Sequence, residues 1–160
     1  MSTQGTYQFM SDDMLTAAEY HLEYLQSPVD DLYSFYYTMQ WAAVLHDKEF
    51  AHKNIPFELK ILRPKLSATQ MDRSFATHQI TAPSSISPLE YGSVLTQCQP
   101  VLRAWYWKLQ GIKEDWKKCQ SKLRGQETKA EIYIPLFSAF ALRGVATLAE
   151  LVYNLTKDMD

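Results

Sequence analysis

The side chains best equipped for chemistry are His46 and Asp47, adjacent in a stretch of helical periodicity. An imidazole and a carboxylate together can hold a divalent ion that activates a bound water. Such a centre needs further ligands, and His21 upstream and Asp115 downstream are the candidates. The plainer expectation is a core-facing histidine beside an exposed aspartate. His52 and His78 have no partner at ligand spacing and are expected on the surface. Cys98 and Cys119 fall on an apolar seam, where small buried side chains are expected rather than nucleophiles. No Ser/His/Asp grouping, glycine-rich phosphate loop or zinc spacing occurs. No catalytic residue, metal ligand or cofactor is therefore assigned. The acid pairs Asp12-Asp13 and Asp30-Asp31 sit at expected helix starts, where dipole complementarity accounts for them.

The second constellation is basic. Lys60, Arg63, Lys65 and Arg73 are followed by Arg103, Lys108, Lys113, Lys117, Lys118, Lys122 and Arg124. Positive side chains along a rigid rod can neutralise successive phosphates of a nucleic-acid backbone, RNA or DNA. Tyr106 and Trp107 lie off the apolar seam, free to stack on bases or to meet a protein partner. The competing expectation is a solvated helix face, since Glu114 and Asp115 sit among the lysines. Charge is unevenly spread. Residues 1–47 hold seven acids and no Lys or Arg, whereas residues 48–129 hold 14 of the 16 basic residues against seven acids. The net charge of −2 conceals this asymmetry, which points to an electrostatic partner.

These residues need helices to position them. With five glycines in 160 residues and few β-branched runs, the composition predicts an all-α single domain, a bundle of about five to six helices. Ser11 caps a helix over residues 12–26, stopped by Pro28. Ser27 and Pro28 open a second, carrying Leu32, Tyr36, Met39, Ala43, His46 and Phe50 at spacings of three and four and ending near Lys53. Phe57–Leu62 and Ser67–Gln79 can form short helices, and residues 81–88 are a Ser/Pro-rich loop. Ser87 and Pro88 then open a long basic amphipathic helix to residue 124. Its seam is Tyr91, Leu95, Cys98, Leu102, Trp105, Leu109, Ile112, Trp116, Cys119 and Leu123, with a kink expected at Pro100. The last helix, residues 127–157, is apolar nearly all round and is expected at the centre of the bundle. Arg143 and Glu150 make a membrane span the poorer expectation for it. The first ten residues lack the basic head and apolar core of a signal peptide, and the two cysteines form no disulfide framework. A cytoplasmic protein is expected.

In length, helical content and lack of catalytic residues, the chain resembles the small helical subunits of CRISPR RNA-guided effector (Cascade-like) complexes. The likeness rests on the basic, aromatic-studded middle from Arg103 to Arg124 and the apolar closing helix around Arg143-Gly144. It implies a non-enzymatic subunit of an antiviral nucleoprotein assembly, holding nucleic-acid backbone beside other protein subunits and further copies of itself. The acidic first 47 residues depart from that pattern and suit docking on a basic neighbour. Two alternatives stand beside it. One is a helical protein–protein adaptor. The other is an HD-type metal-dependent phosphohydrolase, which His46-Asp47 resembles at two residues; the glycine-containing continuation of that motif is replaced by Lys48-Glu49-Phe50.

Overall fold

A computed structural model describes residues 7–46, 55–123, 125 and 129–157. Among these, seven α-helices follow a short 3-10 turn at Tyr7–Phe9, and no strand occurs. The helices are α1 (Asp12–Glu19), α2 (Pro28–Val44), α3 (Phe57–Lys65), α4 (Gln70–Thr81), α5 (Pro88–Tyr91), α6 (Ser93–Leu123) and α7 (Ala130–Lys157).

Caps set most of the starts. The Ser11 hydroxyl accepts from the Met14 N–H, and Ser27 and Thr69 each form a reciprocal capping box, with Asp30 and Asp72. Helix α1 stops seven residues short of its expected end because His21 adopts φ 52°. The amide of Leu22 then bonds the Ala17 carbonyl at 2.9 Å and that of His21 bonds Ala18, closing a Schellman turn with histidine in the place glycine usually takes. Helix α2 ends at Val44, whose carbonyl accepts from Arg63 Nε at 3.0 Å. The expectation of a helix that carries His46 on its stripe and reaches Lys53 is corrected, because Leu45 and His46 already lie past its end. Phe50 and Lys53 lie outside the described residues.

The expected helix over 88–124 is divided at Gly92, whose φ of 82° suits glycine and separates α5 from α6. Beyond it α6 is continuous through Pro100, with no second break. Its seam is buried as spaced: Leu95, Leu102, Trp105, Leu109, Ile112 and Trp116 are enclosed, and Tyr91, Cys98 and Cys119 are half-buried against them. Each such side chain contributes about 1.5–3 kcal/mol on leaving water. Burial also pushes the Cys98 thiol above the ordinary cysteine range, away from a reactive thiolate.

The centre of the bundle belongs to α2, not to the last helix. Val29, Leu32, Tyr33, Tyr36, Tyr37, Gln40, Ala43 and Val44 bury α2 on several sides, against α6, α7 and the amino-terminal turn. Helix α7 lies at the edge, which corrects the expectation of a central apolar helix. One stripe faces inward: Tyr133 and Phe140 meet Trp116 at ring separations of 5.9 and 5.2 Å. Gly144 sits so close to α2 that a Cβ there would lie 2.2 Å from Leu32 Cδ1. The opposite face of α7 is uncovered.

Candidate interaction site

The acidic amino terminus and the basic middle find each other within one chain. Asp13, in the first turn of α1, meets Lys113 at 2.9 Å and Lys117 at 3.9 Å on α6. Asp12 pairs with Arg73, whose guanidinium also donates to the carbonyls of Met10 at 2.8 Å and Gln8 at 3.2 Å. The Arg73 guanidinium lies 4.0 Å over the Tyr37 ring, and the residue is 3% exposed. It is a structural bolt, and no ligand reaches it.

The other assigned cations divide in the same way. Arg63 caps the end of α2, and Arg103 donates to the carbonyls of Pro83 at 2.7 Å and Ala82 at 3.5 Å, fastening the 82–87 loop. Lys65 is 4.0 Å from Asp72 and lies over the Phe75 ring. The Asp72 carboxyl is held below its usual range chiefly by the Thr69 hydroxyl, with the Thr69 amide and Lys65 adding to it. Lys118 pairs with Asp115 at 3.7 Å, and the same carboxylate takes Arg143 of α7 at 2.9 Å. Lys60, Lys108 and Lys122 extend into solvent. Arg124 lies outside the described residues. Among the ten that are described, Arg63, Arg73 and Arg103 are tied to backbone or carboxylate partners within the chain, so these ten do not form one continuous basic surface. Lys108, Lys117, Lys118 and Lys122 are all exposed on α6. They fan over more than half of its circumference, with Lys108 and Lys117 on opposite flanks and Glu114 and Asp115 among them.

The two off-seam aromatics also part company. Tyr106 is half-buried, 5.4 Å from the Tyr36 ring, and burial raises its hydroxyl above the ordinary tyrosine range. Trp107 stands 61% exposed beside it.

The metal-centre constellation does not assemble among the described residues, where no three His, Cys, Asp or Glu side chains converge. His21 is consumed by the α1 stop, and Asp115 is held between Lys118 and Arg143. His46 is half-buried just past the end of α2, and Asp47 and His52 lie outside the described residues. His78 is exposed on α4.

One buried carboxylate, unassigned from sequence beyond its helix-start role, proves central. Asp30, 2% exposed, accepts from the hydroxyls of Ser11, Tyr24 and Ser27 and from the Ser27 amide at 2.7 Å. Burial, reinforced by that carboxylate, drives the Tyr24 hydroxyl far above its usual range. Every acceptor position is used for joining α1, the 20–27 connection and α2, so the cluster is architectural.

The outward face of α7 exposes a run of large apolar side chains. Leu142 is 70% exposed and Tyr153 65%, with Ile134, Val145 and Val152 also uncovered. Phe35 of α2 continues the patch across a small apolar groove of about 110 Å³ lined by Leu32, Trp105, Val145 and Leu148. Ala130–Leu155 is long and apolar enough, at mean hydropathy 1.6, to cross a membrane by length and composition, and 11% of that window is buried. The apolar residues all round α7 were the available signal in the sequence, but periodicity does not say which face meets the core.

No protein-family model, curated protein or solved structure matches the chain.

Proposed function

We propose that this chain is a non-enzymatic, cytoplasmic helical subunit that works by docking protein on the outward face of α7. The observation that carries this adaptor reading is the exposed apolar surface around Leu142, Val145 and Tyr153, beside basic side chains already occupied within the chain. A contiguous apolar patch of this kind marks an interaction surface. Both cysteines are free thiols, as a reducing compartment keeps them. The CRISPR-subunit resemblance contributes the same role, a helical part of a larger assembly. The test is co-purification of the native protein against its Leu142→Asp variant. Loss of the associated protein with unchanged melting supports the reading, and an unchanged partner set refutes it.

A second reading keeps the nucleic-acid backbone as a partner. The exposed lysines Lys108, Lys117, Lys118 and Lys122 around α6, with the exposed Trp107 on the same helix, favour it. Such binding is sequence-independent and steeply salt-dependent. An electrophoretic shift at ~50 mM salt that vanishes when Lys117, Lys118 and Lys122 become Glu supports this reading; no shift at that low salt eliminates it.

A further inference from the structure

We infer that the outward face of α7 pairs with the same face of a second copy of this chain, antiparallel, about a two-fold axis near Val145 and Ala146. The inference rests on the docking role assigned to α7 and names its occupant.

Charge order is the first argument. Helix α7 carries four charges, Glu131, Arg143, Glu150 and Lys157, in the order acid, base, acid, base. Arg143 meets Asp115 of its own chain at 2.9 Å and keeps half of its side chain exposed. In an antiparallel pair centred at 145–146 it lies level with residue 148 of the other copy, about 3 Å along the axis from Glu150, which joins the same ion-pair network. Glu131 comes within about 5 Å of Lys157 in the same register. Arg143 and Glu150 share one flank of the helix, so both pairs form twice by symmetry. A parallel two-fold pair would carry this flank to opposite sides of the interface, leaving Arg143 and Glu150 without each other. Antiparallel packing also opposes the two helix dipoles.

Shape is the second argument. The same register sets Leu142 opposite Ala149, Val145 opposite Ala146, Val152 opposite Ala139 and Tyr153 opposite Ser138. Each of these four layers places a large side chain against a small one, as close-packed helices require, and Ile134 falls opposite Lys157 at the edge of the pair.

Area is the third. The exposed surface of Ile134, Leu142, Val145, Val152, Tyr153 and Phe35 amounts to on the order of 700 Å² in all, near what each partner buries in a stable interface. A lipid occupant fits less well. It would place Arg143 and Glu150 within the hydrocarbon, where ionised side chains are costly.

The test is sedimentation equilibrium on the full chain with three variants. Wild type is expected to show a monomer–dimer equilibrium, and Leu142→Asp, exposed in the monomer, to stay monomeric with unchanged helicity. Arg143→Glu and Glu150→Arg each place like charges in contact and are expected to weaken self-association roughly tenfold. Their equimolar mixture restores it, because each chain now complements the other. Damage to the fold would not produce that rescue. A wild type that is monomeric at ~100 µM overturns the inference, since interfaces of this size associate at micromolar levels or below. A mixture no tighter than its components overturns the antiparallel register. Leu142-dependent flotation with phosphatidylcholine–phosphatidylserine vesicles overturns it in favour of a lipid surface. Monomeric behaviour combined with Leu142-dependent retention of a different protein overturns self-pairing and leaves the docking role standing.

Discussion

Replacing Arg73 by methionine separates structural from surface basic residues. Methionine keeps an apolar stem over Tyr37 and removes the guanidinium that holds Asp12 and the carbonyls of Gln8 and Met10. Removing one partner of a buried ion pair costs about 3–5 kcal/mol. The Asp12 side chain is 38% exposed and regains water when released, which puts the loss at the lower end, about 3 kcal/mol. For a domain of this size each kcal/mol moves the midpoint by about 2–4 °C, so the Tm should fall by about 6–12 °C. The assay is thermal and urea unfolding followed by circular dichroism, with Lys108→Met and Lys122→Met as controls. Those two side chains are solvated, and each change should stay within about 0.5 kcal/mol. The loss in Arg73→Met should also persist at high salt, because the Arg73 side chain is 4% exposed and little screened. A variant that melts within a degree or two of wild type would refute the assignment of Arg73 as a bolt. So would a Lys108 variant that loses as much.

Asp30→Ala strands the hydroxyls of Ser11, Tyr24 and Ser27 and should cost about 3–5 kcal/mol in urea unfolding. Gly144→Val overpacks the α2–α7 crossing against Leu32 and should cost about 2 kcal/mol or more; neutrality would mean the two helices are less closely seated. Burial is the largest cause raising the hydroxyls of Tyr24, Tyr33, Tyr36 and Tyr37. A folded pKa above the unfolded one leaves stability intact below about pH 10 and removes it as the pH climbs further. Ring resonances of these four should therefore stay in the phenol form until helical circular dichroism is lost, and tyrosinate inside an intact fold would contradict the burial.

The sequence made the all-helical class and the α6 seam legible because a 3–4 spacing over nine turns has no competing explanation. Capping residues Ser11 and Ser27 did the same for two helix starts, whereas the Thr69 cap was missed and α4 begins three residues after the expected Ser67. Helix stops were harder. A left-handed histidine ends α1 where no glycine marks the place, and Gly92 divides α5 from α6 within an unbroken apolar pattern. The centre was misassigned because Tyr33, Tyr36 and Tyr37 carry hydroxyls that lower apparent hydropathy, although α2 buries all three. Charge asymmetry was visible, but its meaning depends on distance. Asp12 and Asp13 face Arg73, Lys113 and Lys117 only once the chain has folded, so part of a pattern suggestive of an outside partner is satisfied inside the molecule.

That leaves α7, whose outer face the bundle does not need. A distance measured across two copies tests its role most directly. With Cys98 and Cys119 replaced by serine, a spin label at Lys129→Cys reports the separation between copies by double electron–electron resonance. An antiparallel pair centred at 145–146 sets the labels about 50 Å apart, from 1.5 Å of rise per residue. A separation below about 20 Å would mean parallel helices, and no dipolar signal at concentrations well above micromolar would mean no pair; either contradicts the assigned interface.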